Sequence, residues 1–303
     1  MNKLLILDGN SVLHRAYYAL PDWRNRSGEA TAGVYGFLSM MLKAMDDLKP
    51  THVAVVFDNP EPTFRHSMYV GYQTNREKDR QISEDIWGQV EKLKTVMEKL
   101  GIPVFCVAGF EADDLAGTLT TQAEKTKAEV ILITGDKDYM QLVNDKVHLY
   151  MPQKGLSDGA IIDRDKVREK LGVEPEQVVS YKGLVGDSSD NYPGVTGIGP
   201  KTAITLLTKY KDFDQVYKNL DKIDERVRAK LAAGYEGGEL SKQLAKIRTD
   251  APVTLDWDLA VTPTEDKTLT VLKELGYKSL IKRMTGEEVK IDTQGSLFER
   301  VGS

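Results

Sequence analysis

The sequence predicts an α/β fold with a mainly parallel central sheet flanked by helices, followed by a helical C-terminal region. Two observations support this prediction. In residues 1–136, short apolar or β-branched runs alternate with longer amphipathic runs, which is typical of a parallel sheet covered on both faces. From about residue 160 the strand-like runs stop, and helical runs with short connections follow.

The four predicted strands are short, and each ends at a turn signal. They are KLLILD (3–8), HVAVVFD (52–58), IPVFCV (102–107) and AEVILITGD (128–136). The helices predicted between them span 11–20, 32–47, 84–99 and 111–124. Ligands of such sheets bind at the carboxyl ends of the strands, so the residues that follow the strands are the first candidates for a functional site.

Residues 60–82, called the excursion below, interrupt this alternation with polar, aromatic and basic residues that have no clean period. The later predicted helices span 163–171, 175–184, 201–210, 238–247 and 267–284. We therefore predict an α/β core at 1–165, a helical region at 166–285 and a flexible tail at 286–303.

Composition narrows the class of protein. A chain of 303 residues with 41% hydrophobic residues can bury a large core. The single cysteine, Cys106, excludes an internal disulfide and a cysteine zinc cluster. The sequence shows no signal peptide and no apolar run of membrane length, which favours a cytoplasmic protein. The net charge of −5 does not exclude nucleic acid as a partner if many acids gather at one metal site.

Nine acids fall where the predicted topology would gather them at one edge of the sheet. Three follow strands directly, one comes two residues later, three lie at a helix start, and two are spaced i, i+3 after residue 185. In that order they are Asp8, Asp58, Asp136, Asp138, Glu111, Asp113, Asp114, Asp187 and Asp190. A helix N-terminus stabilises an anion by only about 0.3–1 kcal/mol, too little to hold three carboxylates together.

A group of carboxylates this large favours a hard cation. One Mg²⁺ uses only a few carboxylates and keeps several waters, so nine ligands predict a site for two or more Mg²⁺ or Mn²⁺ ions. Such a pair of ions activates water and stabilises the leaving oxygen in phosphodiester cleavage. Each motif alone has a simpler explanation, because Asp8 is a common cap, EADD a common exposed helix start and TGDKD a common polar loop.

Five segments resemble, in order, the motifs of the 5′-nuclease family, which includes the flap endonucleases and the 5′→3′ exonuclease domain of bacterial DNA polymerase I. They are LILDGNSVLHRAYYALP, VVFDNPEPTFRHSMYVGY, FEADDLAGTL, LITGDKDYMQLV and GLVGDSSDNYPGVTGIGPKTA, which together span residues 4–203. The resemblance implies a first metal cluster of Asp8, Asp58, Glu111, Asp113 and Asp114. It implies a second metal cluster of Asp136, Asp138, Asp187 and Asp190.

The segment YPGVTGIGPKTA (192–203), called the glycine loop below, is not a nucleotide-binding P-loop, because Pro200 stands where that motif needs glycine and no strand precedes it. The resemblance implies a helix–turn–helix element here that grips duplex DNA, with K⁺ in its turn. Backbone amides at a helix N-terminus suit phosphate, and the predicted contacts are Gly197, Gly199, Lys201 and Thr202. The alternative is a tight connection between helices.

The excursion resembles the helical arch of the family, which a single-stranded 5′ end enters. Aromatic and basic side chains alternate there, a mixture suited to bases and phosphates, and the predicted DNA contacts are Phe64, Tyr69, Tyr72 and Arg80. Alternatively, the aromatic residues only anchor the excursion to the sheet.

One position departs from the family pattern. A lysine usually follows the second tyrosine of the YxxY motif, whereas this chain has Gln73, which brings no positive charge to the phosphate. The resemblance implies that Arg65 and Arg76 position phosphate, with Lys78 a weaker substitute. We expect cleavage to be slower, or to depend more on Arg76.

The sequence therefore predicts a monomeric, metal-dependent 5′→3′ exonuclease or flap endonuclease. Its substrate would be DNA with a 5′ end or flap, or an RNA–DNA primer, in replication and repair. A catalytically weakened DNA-structure-binding protein remains an alternative. A strand-end-aspartate phosphatase is disfavoured because Asn10 stands where its second aspartate belongs. The sequence contains no polymerase motifs, which leaves open a free-standing relative or a nuclease domain of a longer protein.

Overall fold

A computed structural model describes residues 2–24, 28–75, 80–153 and 159–287, with side chains in the helix that begins at Arg80 described from residue 84 onward. Arg76, Lys78 and the predicted tail beyond residue 287 lie outside these ranges. The strands are Lys3–Asp8 (β1), His52–Val56 (β2), Val104–Phe105 (β3), Glu129–Ile133 (β4), Val147–Pro152 (β5) and Gly159–Ile162 (β6).

The helices of the α/β part are Gly9–Ala19 (α1), Ala32–Leu48 (α2), Phe64–Met68 (α3), Arg80–Leu100 (α4) and Ala112–Lys125 (α5). Those that follow are Arg164–Leu171 (α6), Val178–Val185 (α7), Pro200–Tyr210 (α8), Phe213–Lys218 (α9), Glu225–Ala233 (α10), Tyr235–Ala245 (α11), Glu265–Glu274 (α12) and Lys278–Thr285 (α13).

The six strands form one sheet in the order β3-β2-β1-β4-β5-β6. All neighbours are parallel except β5 and β6, which are antiparallel. Strand β1 lies between β2 and β4, with Leu5 opposite Val53 on one side and Ile131 on the other. The predicted fold, a mainly parallel sheet with helices on both faces and a helical C-terminal region, is confirmed.

Strand β1 shows why the sheet is covered on both faces. Its residues Leu4, Leu5, Ile6 and Leu7 are fully buried, because alternate side chains point to opposite faces. Leu4 and Ile6 pack in a core with α5 and the helical region, and Leu5 and Leu7 pack in a second core with α1, α2 and α4. This continuous apolar run therefore suits a central strand that is buried on both faces.

The last two helices return to the α/β core. Side chains from α12 and α13, including Leu272 and Ile281, pack in the same core as α2 and α4. The sequence pattern predicts one helix at 267–284, but the structure has two, because Gly276 adopts φ +72° between them. Strands β5 and β6 were not predicted, because His148 interrupts the apolar run of β5 and the edge strand β6 has only four residues.

Candidate metal and nucleic-acid site

The carboxyl ends of β1, β2 and β4 open into a cavity of about 840 Å³. Seven of the nine predicted metal ligands line it, and these are Asp8, Asp58, Glu111, Asp113, Asp136, Asp138 and Asp190. Of the other two, Asp114 is bonded to Arg65, which also lines the cavity, and Asp187 shares Lys182 with Asp138. The fold thus gathers acids from distant parts of the chain at one sheet edge.

Asp8 ends β1 and Asp58 follows β2, and both are held by hydrogen-bond donors on neighbouring elements. Asp8 accepts hydrogen bonds from the Ser11 amide at 3.0 Å and the Thr134 hydroxyl at 2.9 Å, and Asp58 accepts one from the Ala112 amide at 2.8 Å. Burial, reinforced by the Asp58 carboxylate, raises the pKa of Asp8 to about 7. A nearby cation would favour the ionised form of a carboxyl in this environment.

Glu111 and Asp113 lie at the start of α5. Glu111 accepts hydrogen bonds from the Thr63 hydroxyl at 2.8 Å and the Tyr72 hydroxyl at 3.1 Å, so both residues of the excursion orient it. Burial raises the pKa of Glu111, and it raises that of Asp113 well above the usual range. The Oδ1 atom of Asp113 is buried and has no hydrogen-bond partner among the described residues.

Asp114 does not line the cavity and pairs through both of its oxygens with a buried guanidinium. Both accept hydrogen bonds from the Arg65 guanidinium, at 2.9 and 3.0 Å, and Oδ1 also accepts one from the Arg248 amide at 2.8 Å. Arg65 is 1% exposed and Asp114 is 0% exposed. This pair joins the excursion, α5 and the segment after α11 beneath the cavity.

The second cluster contains a lysine that the sequence motifs did not single out. The ammonium of Lys182, on α7, donates to Asp138 and, at 2.5 Å, to Asp187. Burial and the neighbouring Asp136 raise the pKa of Asp138 to about 7. Burial also tends to raise the pKa of Asp187, but the Lys182 ammonium and the hydrogen bonds from Ser189 outweigh burial and lower this pKa to about 2.

The acids of both clusters fit divalent cations. Their donors are all oxygens, which suits Mg²⁺ or Mn²⁺. Asp138, Asp187 and Asp190 can each offer an oxygen within 4.8 Å of the others. In the first cluster, the buried and unpartnered Oδ1 of Asp113 is an acceptor that a cation would satisfy.

The end of the excursion is tied to the second cluster by hydrogen bonds. The backbone amide of Gln73 donates to the Asp190 carbonyl at 2.9 Å, and the side-chain amide of Asn191 donates to the Gly71 carbonyl at 2.8 Å. Gln73 has φ +55° and lines the cavity. Tyr72 is 4% exposed and is bonded to Glu111, so it has the anchoring position that was the alternative to base stacking.

The other aromatic residues of the excursion are less enclosed. Phe64 is half-buried, with the Arg65 and Arg248 guanidinium groups 4.6 and 5.0 Å from its ring centre. Tyr69 is half-buried beside the small cluster that contains Tyr72. Arg80 is the first residue of α4, and its side chain lies outside the described part.

The glycine loop joins α7 to α8 and exposes its turn. Gly194, at φ +64°, passes so close to the end of α7 that a Cβ would stand 2.3 Å from the Gly186 amide N. Gly197 and Gly199 are exposed, and Lys201 is exposed on the first turn of α8. The Gly197 carbonyl accepts a hydrogen bond from the Lys230 ammonium at 3.1 Å. Thr202 is half-buried on the same turn.

Two family models cover most of the chain. The 5′-3′ exonuclease N-terminal resolvase-like domain matches residues 3–172, and the 5′-3′ exonuclease C-terminal SAM fold matches residues 173–268.

The chain belongs to the 5′-3′ exonuclease family.

Individual proteins support this assignment. The chain is 38% identical over 306 residues to DNA polymerase I of Bacillus subtilis, a match that covers 97% of this chain and 34% of the relative. It thus spans about one third of the length of the curated relatives it matches. Two structures share the fold: the bacteriophage T5 5′-exonuclease with bound zinc, at TM-score 0.68 and 22% identity, and the T5 flap endonuclease with DNA and metal ions, at TM-score 0.68 and 19% identity. The matches cover 90% and 94% of this chain, and 99% and 97% of those chains.

Membership in the 5′-3′ exonuclease family confirms the resemblance seen in the sequence and the class of enzyme, a nuclease that hydrolyses phosphodiester bonds. The clustered acids agree with divalent-metal dependence in this family. Among the described residues, no helix is long and apolar enough to cross a membrane. The roles of single residues, the domain boundaries and the choice between metals stay predictions.

Proposed function

We propose that this chain is a structure-selective 5′→3′ exonuclease or flap endonuclease that acts on DNA in replication and repair. The observation that carries the proposal is the position of two acid clusters on one cavity, with the excursion anchored to both. Tyr72 binds Glu111 of the first cluster, and the Gln73 backbone binds Asp190 of the second. A 5′ single strand entering beneath the excursion would reach the acids directly.

The residues of the first cluster that line the cavity would hold one divalent ion, and the second cluster would hold another. Bound ions of this kind activate water and stabilise the leaving oxygen of a phosphodiester. Thr63 and Tyr72 orient Glu111 by donating hydrogen bonds to its two oxygens. Arg65 holds Asp114 in the first turn of α5, and we propose that Arg65 has a positioning role that it exerts through Asp114. This role is proposed in addition to the predicted contact of Arg65 with phosphate.

Gln73 and Arg76 are proposed to face the phosphate. The Gln73 amide can donate a hydrogen bond but adds no charge to the transition state. The exposed amides and Lys201 at the start of α8 are proposed to bind the phosphates of duplex DNA. The proposed divalent ions are Mg²⁺ or Mn²⁺. The proposal also includes a K⁺ ion at the glycine loop, RNA primers as substrates, a monomeric state and a cytoplasmic location.

The alternative function is DNA-structure binding with weak or absent cleavage, which Gln73 favours because the usual lysine is missing. A 5′-labelled flap duplex separates the two functions. We expect Mg²⁺-dependent release of the flap by the wild type, loss of cleavage in Asp113→Asn, and retained binding of both proteins in Ca²⁺. Binding without cleavage by the wild type would instead support the alternative.

A further inference from the structure

Lys182 is buried between carboxylates that also belong to the proposed metal site. The residue is 9% exposed and projects from α7, and its ammonium donates to Asp138 and Asp187. Together with Asp190, these two acids make up the trio whose oxygens lie within 4.8 Å of one another. An ammonium therefore already contacts two of the three acids that would coordinate the second ion.

A divalent ion and the ammonium compete for the same carboxylates. An ion coordinated by Asp138 and Asp187 would lie within a few ångströms of the Lys182 charge, and like charges at that distance repel strongly at a partly buried site. Either the ammonium moves away when the ion binds, or the ion binds against its charge. Both routes weaken binding of the ion at the second cluster.

The first cluster has a different arrangement. Its buried cation, Arg65, makes its short bidentate contact with Asp114, which does not line the cavity. The distances from Arg65 to Glu111 and Asp113 are longer, at 3.4 and 3.6 Å. Asp8 also lines the cavity and accepts hydrogen bonds from the neutral Ser11 amide and Thr134 hydroxyl, so the first cluster retains a carboxylate that is held without a cation.

A purely structural lysine in this region shows what is unusual about Lys182. Lys242, on α11, also binds two carboxylates, Asp214 at 2.7 Å and Glu239 at 2.8 Å. Neither of those acids lines the cavity, so Lys242 only joins elements of the helical region. It is a matched control for Lys182.

We propose that Lys182 is a displaceable internal cation of the second metal cluster. It holds Asp138 and Asp187 together in the ion-free protein, and it makes the second cluster the weaker of the two sites, so that the ions bind in a defined order. The inference rests on the proposed function, because it assumes that both clusters bind divalent ions.

Mn²⁺ titration followed by the electron paramagnetic resonance of free Mn²⁺ tests this without measuring cleavage. We expect one tighter and one weaker class of site in the wild type. Lys182→Met removes the charge at similar length and should tighten the weaker class about tenfold, which is about 1.4 kcal/mol. Lys182→Arg keeps the charge and should leave that class weak, and Lys242→Met should leave both classes as they are.

An unchanged or weakened second class in folded Lys182→Met would overturn the proposal and show that the ammonium organises the ligands instead. A wild-type protein that binds no Mn²⁺ would overturn the proposed function as well, so the two failures are distinguishable.

Nuclear magnetic resonance of wild-type protein with ¹³Cε-labelled lysine covers the case in which Lys182→Met does not fold. The Lys182 signal, assigned by its absence in Lys182→Arg, should shift as Mg²⁺ fills the weaker class. A signal that does not move through that part of the titration would also overturn the proposal.

Discussion

Arg65 and Asp114 form a bidentate ion pair, at 2.9 and 3.0 Å, that is almost completely removed from solvent. The Arg65 guanidinium also donates to the carbonyls of Leu244 and Lys246, so one side chain links the excursion, α5 and the end of α11. Sequence motifs place both residues near the chemistry, and from these contacts we expect them to support the site from beneath.

Arg65→Met should lower the free energy of unfolding by about 3–5 kcal/mol, because it leaves the Asp114 carboxylate buried without its cation. Urea unfolding monitored by circular dichroism would measure the change. Arg164→Met, which removes an exposed ion pair with Glu176, is the control and should have little effect. Equal effects of the two substitutions would contradict a supporting role for Arg65.

Stability of the metal-free protein should fall as the pH rises from about 4 to 7. Asp8 and Asp138 have folded-state pKa values of about 7, above the ordinary 3.8, so each binds its proton more tightly in the folded state. The stability that results is complete below pH 3.8 and is lost as the pH rises through about 7. For one group the loss is at most about 4 kcal/mol, since one pKa unit corresponds to about 1.4 kcal/mol.

Unfolding in urea at several pH values, with EDTA and with Mn²⁺, would show this loss. Mn²⁺ should remove most of it, because a bound cation stabilises the ionised carboxylates. Asp8→Asn should reduce the pH dependence in EDTA. A stability in EDTA that does not change with pH would contradict the raised pKa values of Asp8 and Asp138. It would also remove the reason to expect that a cation stabilises their ionised forms.

Tyr72→Phe should weaken the first cluster by leaving one oxygen of Glu111 without its donor. The expected cost in stability is about 1.5–3 kcal/mol, typical of a hydrogen bond to a charged group. The affinity of the tighter class of site for Mn²⁺ should fall as well, because Glu111 becomes less well oriented. Tyr69→Phe, in the same excursion, serves as the control, and matching effects of the two changes would rule out the Glu111 contact as the cause.

Gln73→Lys should increase the single-turnover rate on a 5′-flap substrate, by about tenfold if one charged donor is restored to the phosphate. Thr74→Lys places the same charge on an exposed neighbour and should change the rate little. If both Gln73→Lys and Arg76→Ala leave the rate unchanged, neither residue contributes as the family pattern implies.

The local sequence pattern was sufficient to predict most of the strands and helices of the α/β part. The runs that form β1, β2, β3 and β4 are short, apolar and bounded by turns, and the acids that follow them lie at one sheet edge because parallel strands end together. The local pattern did not predict β5, whose apolar run is interrupted by His148, or the four-residue edge strand β6. It also missed the short helices α9 and α10, because their patterns are brief and their stability comes from neighbours.

By itself, the sequence determined the family, the mainly parallel sheet and the sheet edge at which acids gather, because these depend on residue type, order and spacing. Only the tertiary structure decided which acids remain available to a cation. Asp114 is bonded to Arg65, Asp187 and Asp138 share Lys182, and the Oδ1 of Asp113 is left without a partner among the described residues. The Arg65–Asp114 and Lys182–Asp138 pairs join residues 49 and 44 positions apart, and they follow from burial and charge in three dimensions rather than from any local motif.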